Sequence, residues 1–364
     1  MSDRVRLIAF YLPQFHPIPE NDVWWGKGFT EWTNVGKAKP LFWGHYQPHV
    51  PADLGYYDLR VPETRKAQAD MARKYGIEGF MYWHYWFGNG RRLLERPFNE
   101  VLASGSPDFP FALAWANESW KGLAHGLKDR QILIEQKYPG DQDYIEHFYE
   151  VLPAFKDKRY IRFKGKPIFL VYKPHQLPDA THFIRLWQQL AVDNGLEGIY
   201  FIAHHQSTRD HNYKSESSSL QEMLAMGFDA VNFVRLTKYL EQRSWASKIL
   251  SKVSRYIFRI PLAIPYKYAM KYFSDDIDSK ETVIPSIVPN WDHSPRSGRD
   301  ALVYTNSTPD FFRQHIDCVM QKIRNKDNKL VMIKSWNEWA EGNYMEPDLK
   351  WGLEYLKVLK SCIK

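Results

Sequence analysis

LVMIKSWNEWAEGNYMEP, residues 330–347, decides the fold. Residues 330–335 form a short apolar run without strict alternation, the pattern of a strand buried on both faces. The run breaks into Trp336-Asn337-Glu338-Trp339-Ala340-Glu341-Gly342. A buried strand whose carboxyl end turns polar and aromatic points to an α/β sheet that carries its chemistry at the strand ends.

Seven similar runs precede it, at residues 6–12, 79–86, 111–116, 167–172, 198–203, 230–234 and 282–288. Helical patterns separate most of them, at 63–75, 92–103, 144–155, 182–194, 220–226 and 311–324, with a last one at 353–363. Alternating strands and helices predict a parallel sheet. Eight such units predict an α/β fold of the (β/α)8 TIM-barrel type. Residues 1–364 then read as a single domain, with long insertions after strands 1 and 6 at 13–62 and 238–280. A doubly wound sheet is the alternative, but it prefers a Gly-rich turn after the first strand, where this chain has Pro13-Gln14-Phe15-His16-Pro17.

Composition narrows the function. A hydrophobic share of 44% and a charged share of 25% are ordinary for a globular chain, which excludes disorder and low complexity. Two cysteines, Cys318 and Cys362, make neither a disulfide framework nor a zinc site. The first apolar run is six residues long and stops at Pro13, too short for a secretory signal, and no run is long enough to span a membrane. A cytoplasmic location is expected. No metal and no cofactor is expected either. The chain has no HExxH, Walker or GxSxG motif, and His204-His205 with His211 nearby reads better as strand-end hydrogen bonding than as a metal site.

The aromatic share of 16% is high, and it gathers at strand ends. The first run ends in Tyr11, Gln14 and His16, and its loop carries Trp32 and Tyr46. Trp83 and His84 end the second; Trp115, Asn117, Glu118 and Trp120 end the third. His204 ends the fifth, Trp291 and Asp292 the seventh, and Trp336 and Asn337 the eighth. Aromatic platforms beside amides and carboxylates suit a sugar-binding wall. Glu338 and Glu341 are the candidate catalytic pair, since glycosidic bond cleavage needs one carboxyl as acid and another as base or nucleophile.

These motifs together resemble the WbsX-type proteins of bacterial O-antigen and capsule gene clusters, which carry a glycoside hydrolase family 99-like domain. The resemblance runs from FYLPQFHPIPENDVWWGKGFTEWTNV (10–35) to KSWNEWAEGNYMEPD (334–348). It implies a retaining barrel enzyme acting on an oligo- or polysaccharide, lipid-linked as one option. By position it implies that Glu338 takes the proton of the sugar's 2-hydroxyl, giving a 1,2-anhydro intermediate. Glu341 becomes the acid/base and Glu346 a substrate contact. The alternatives are a glycosyltransferase using a nucleotide- or lipid-activated donor, and a non-catalytic glycan-binding barrel.

The net charge of +7 lies wholly within residues 238–273, which hold eight basic residues and the single acid Glu241. Lys248, Lys252, Arg255 and Arg259 share one helical face, beside Trp245, Ile249, Val253, Tyr256 and Ile260. Two readings follow for 243–260. It is a helix packed on the barrel, or it is a peripheral contact with an anionic inner membrane. Nucleic acid is not expected as a partner, because no recognition motif accompanies the basic face.

Overall fold

Parallel pairing joins the apolar runs edge to edge in the computed structural model, which describes residues 4–122, 131–206 and 215–363. Strands β1 (Arg6–Tyr11), β2 (Gly79–His84), β3 (Phe111–Trp115), β4 (Lys166–Val171), β5 (Tyr200–Gln206) and β6 (Ala230–Val234) follow in order. β7 comes in two halves, Val283–Ile284 and Ser286–Ile287, and β8 is Leu330–Ile333. Ile8 lies opposite Gly79 and Arg6 opposite Leu330, so β1 sits between β2 and β8. The first half of β7 pairs with β6 and the second half with β8, which closes the ring. The seventh run was expected to be continuous over 282–288. Pro285 breaks it, because a proline offers no amide hydrogen to the ladder. Its carbonyl still accepts from the Met332 amide at 3.0 Å.

Bulky apolar side chains from every strand fill the barrel and its helical jacket. Gly79 is required where β2 meets the entry to β3, since a Cβ there would lie 2.4 Å from the Pro110 carbonyl. The jacket helices begin and end on local signals. Pro62–Lys74 opens on its proline and stops before Gly76, whose φ is +88°. Ala180–Asp193 is capped by Asp179, and Pro309–Ile323 by Thr308.

Both insertions hold elements that the sequence pattern did not reveal. The first carries helices Pro19–Trp25 and Glu31–Lys37. The second contributes strand Leu262–Pro265, which pairs in parallel with Leu302–Thr305 outside the barrel. Leu240, Ile264, Tyr266, Phe273 and Tyr304 form a small core beneath this side sheet.

The basic helix spans Trp245–Ile257. Arg259 and Ile260 lie beyond its end, with Arg259 at a left-handed φ of +56°. That corrects the expected extent of the basic face. Its apolar side is not packed on the barrel: Trp245, Ile249 and Tyr256 are exposed. Among the described residues, no helix is long and apolar enough to cross a membrane.

Candidate active site

Three loops converge at the carboxyl ends of β1, β7 and β8. Thr30 caps helix Glu31–Lys37 and places Glu31 in its first turn, while the Glu31 amide donates to the Gln14 carbonyl at 3.1 Å. After β7, Asp292 accepts from the Ser294 amide at 2.9 Å and so starts the turn that carries Arg296. After β8, the Glu338–Glu341 turn lies against Asp292, whose amide donates to the Glu341 carbonyl at 2.7 Å. Only glycine fits at 342, where a Cβ would come within 2.8 Å of the Asp292 backbone and φ is +66°.

Arg296 sits where these loops meet. Its guanidinium donates to Glu341 at 2.5 Å and to Glu31 at 3.2 Å, and lies 3.6 Å from Glu338. Burial works against the Arg296 charge, but Glu31, Glu341 and Glu338 together outweigh it and raise its pKa above the ordinary value. Lys334, at the end of β8, approaches the other Glu341 oxygen at 3.8 Å. Its ammonium lies 5.9 Å from the ring centres of both Trp83 and Trp291. His293 completes the surround at 4.0 Å from Glu341; burial pushes its pKa down to about 4.

Glu338 has the most telling environment. Burial, then the Glu341 charge, push its pKa up to about 7. Its Oε2 accepts no hydrogen bond. A carboxyl of this kind can both hold and release a proton near neutral pH. Tyr85 and Tyr172 stand in the same field. Burial raises both phenols, Glu338 adds to the rise at Tyr85, and Glu118, Glu341 and Glu338 add to it at Tyr172.

The expected sugar wall divides in two. Glu338, Glu341, Trp83, Trp291, Glu118 and His204 face this centre. Burial raises Glu118, with Glu341 contributing. The His204 ring meets Trp83 edge-on at 6.4 Å and Tyr172 at 5.1 Å, and its Nε2 makes no hydrogen bond. Its Nδ1 is bonded to Asn232 at 2.9 Å. His211 lies outside the described residues.

The remaining candidates are packed in the core or bonded to neighbouring loops. Tyr11, Trp115 and Trp336 are fully enclosed in the core. Asn337 clamps Leu12, accepting from its amide at 2.7 Å and donating to its carbonyl at 3.0 Å. Asn117 clamps Lys173 in the same way, at 2.7 and 2.9 Å. His84 is bonded to His147 at 2.8 Å, and His16 to the Pro13 carbonyl at 2.9 Å. Trp120 packs edge-on against Tyr85 and Phe87. Trp32 donates to the Tyr57 carbonyl at 2.7 Å, and Gln14 is buried. Tyr46 stacks on His49 and donates to Asp348 at 3.3 Å. Asp292 accepts from Gln47 at 2.7 Å and is bonded to His45 at 2.8 Å.

Glu346 was expected to touch substrate. It accepts from Tyr57 at 2.9 Å, Gln68 at 2.7 Å and Trp339 at 2.6 Å, and it lines a cavity together with Tyr46 and Asp292. Strand ends in a barrel are where side chains from neighbouring strands must also be tied together, and these residues do that tying.

Lys334, Tyr172 and His293 are site residues that the sequence pattern did not single out, while Glu31, Tyr85 and Arg296 lie in the aromatic strand-end stretches but drew no role there. Glu31 and Arg296 are 265 positions apart, and no local spacing links them.

With this geometry in place, the relatives become informative. Residues 7–359 match the family described as Glycosyltransferase WbsX. The chain belongs to the WbsX glycosyltransferase family. It is 35% identical over 366 residues to the uncharacterized protein WxcX of Xanthomonas campestris pv. campestris strain B100, covering 98% of this chain. The WxcX of strain ATCC 33913 is also 35% identical, over 374 residues. The chain spans about half the length of these relatives, 49% in each case. Among solved structures, the GH99 endo-alpha-mannosidase from Bacteroides thetaiotaomicron superposes with a TM-score of 0.59 at 13% identity, covering 100% of this chain and 97% of the other. A glycoside hydrolase-like protein gives 0.59 at 16% identity, covering 100% and 95%. At such identities the likeness is one of fold. This WbsX-family chain therefore shares the TIM-barrel fold of these solved structures.

Proposed function

We propose that this chain cleaves or transfers glycosidic bonds in bacterial surface polysaccharide with retention of configuration, using Glu338 and Glu341. One observation carries the reading: buried Glu338 and half-buried Glu341 share the Arg296 guanidinium, and Glu338 has a pKa near 7. In the first half, Glu338 takes the proton of the sugar's 2-hydroxyl. That oxygen bonds to the anomeric carbon as the bond to the leaving oxygen breaks, and Glu341 gives its proton to the leaving oxygen. The product on the enzyme side is a 1,2-anhydro sugar. In the second half, Glu341 takes a proton from water or an acceptor alcohol, whose oxygen attacks the anomeric carbon. The three-membered ring opens, and the 2-oxygen recovers its proton from Glu338. Substrate must loosen the Glu341–Arg296 pair before Glu341 can donate.

The family's description as glycosyltransferases favours an acceptor alcohol over water. A lipid-linked oligosaccharide is the substrate form that fits such transfer, with the protein working at the inner face of the cytoplasmic membrane. Product analysis on the encoding strain's own polysaccharide and its lipid-linked precursor tests this. Proton NMR of the first-formed product should show the substrate's anomeric configuration. An inverted product would rule the mechanism out.

A further inference from the structure

Helix Trp245–Ile257 presents an apolar face to solvent. Wound at about 100° per residue, Trp245, Ile249, Val253 and Tyr256 fall within an arc of about 80°. A helix of a globular protein normally turns such an arc to the core. Here Trp245 is 76% exposed, Ile249 50% and Tyr256 77%. Phe258, just past the helix end, is 67% exposed. Lys248, Lys252 and Arg255 occupy the adjoining arc of about 60°. The surrounding segment, 238–273, carries all of the chain's net charge of +7.

The charge decides between occupants. A second copy of the chain would set one basic patch against another. A nucleic acid would satisfy the lysines and leave Trp245, Ile249 and Tyr256 in water. A bilayer interface containing anionic lipid takes both arcs together, with phosphates meeting the lysines and the indole and phenol rings entering the headgroup boundary. The helix is also tied to the site. Arg255 forms an ion pair with Asp300, four positions beyond Arg296. The side strand Leu262–Pro265 follows the helix and pairs with Leu302–Thr305, where the Tyr304 amide donates to the Trp291 carbonyl at 2.7 Å.

We propose that helix Trp245–Ile257 docks this protein on the surface of an anionic bilayer, with the loop that carries Arg296 anchored to it. This stands apart from the glycosidic mechanism, and its test needs no substrate. The full chain is floated with vesicles of phosphatidylcholine alone and of phosphatidylcholine mixed with phosphatidylglycerol. Wild type should float with the mixed vesicles and not with the neutral ones, and added salt should weaken recovery. Lys248→Ser with Lys252→Ser should lower the partition coefficient about 30-fold, from roughly one factor of five per basic residue. Trp245→Ser with Tyr256→Ser should abolish flotation. All four side chains lie at the surface, so the variants should keep the wild-type melting temperature; Lys248→Gln with Lys252→Gln replaces any pair that does not. Recovery of both double variants at the wild-type level would overturn the proposal. So would wild type that ignores both vesicle types, whether it binds polyuridylate RNA instead or self-associates through the helix in sedimentation velocity.

Discussion

Glu338 and Glu346 lie eight positions apart in one segment, and burial lifts both carboxyls to a pKa of about 7. Their surroundings differ in kind. Glu346 is caged by Tyr57, Gln68 and Trp339, which bond both of its oxygens. Glu338 keeps one oxygen without a hydrogen bond and faces Arg296 beside a second carboxylate. The same raised pKa therefore accompanies a brace in one place and a reactive centre in the other. What separates them is hydrogen-bond satisfaction: a carboxyl with both oxygens already bonded has little capacity left for a substrate, whereas an unsatisfied oxygen costs stability unless function retains it.

Breaking the reactive side should give the largest effects. Glu341→Gln should lower turnover by about 10²- to 10⁴-fold, measured on the polysaccharide precursor, because the amide cannot exchange a proton. Arg296→Met should act on both stability and rate. It leaves buried Glu31 and Glu338, with half-buried Glu341, without their shared cation, and should cost about 3–5 kcal/mol in urea unfolding. Arg296→Lys keeps the charge but cannot reach two carboxylates with a planar fork, so it should recover part of that loss.

On the brace side, Glu346→Gln should cost about 1–3 kcal/mol, because the amide brings two donor hydrogens where the protonated acid brings one, among neighbours that donate. That cost should depend on pH. The folded Glu346 binds its proton up to about pH 7, against a reference value of 4.5. Its favourable contribution is thus present in full below pH 4.5 and is lost as pH rises through 7. The gap in melting temperature between wild type and Glu346→Gln should be wider at pH 5 than at pH 8. A gap that widens with pH would contradict the assigned protonation.

The same contrast explains what was legible in the sequence. The strands were, because eight apolar runs follow one another with helices between, and only the Pro285 break was missed. Side strands Leu262–Pro265 and Leu302–Thr305 were not, since each is only four residues long and their pairing spans a long loop. Glu338 and Glu341 stood out through their tryptophans and their place after a buried strand. Glu346, Asn337 and Asn117 carry the same local signature, yet their polar groups are spent on neighbouring loops. Glu31 and Arg296 gave the opposite problem. Each lies in an aromatic strand-end stretch with nothing local to pair it, and only the closed barrel brings them together.

The paired amide variants Glu338→Gln and Glu346→Gln, compared for turnover and melting temperature in one assay, test the central claim most directly. The expected result is a Glu338→Gln protein that melts like wild type and loses at least about 100-fold in rate, beside a Glu346→Gln protein that melts lower and turns over within a few-fold of wild type. A fully active Glu338→Gln, or a Glu346→Gln that melts like wild type and is inactive, would contradict it.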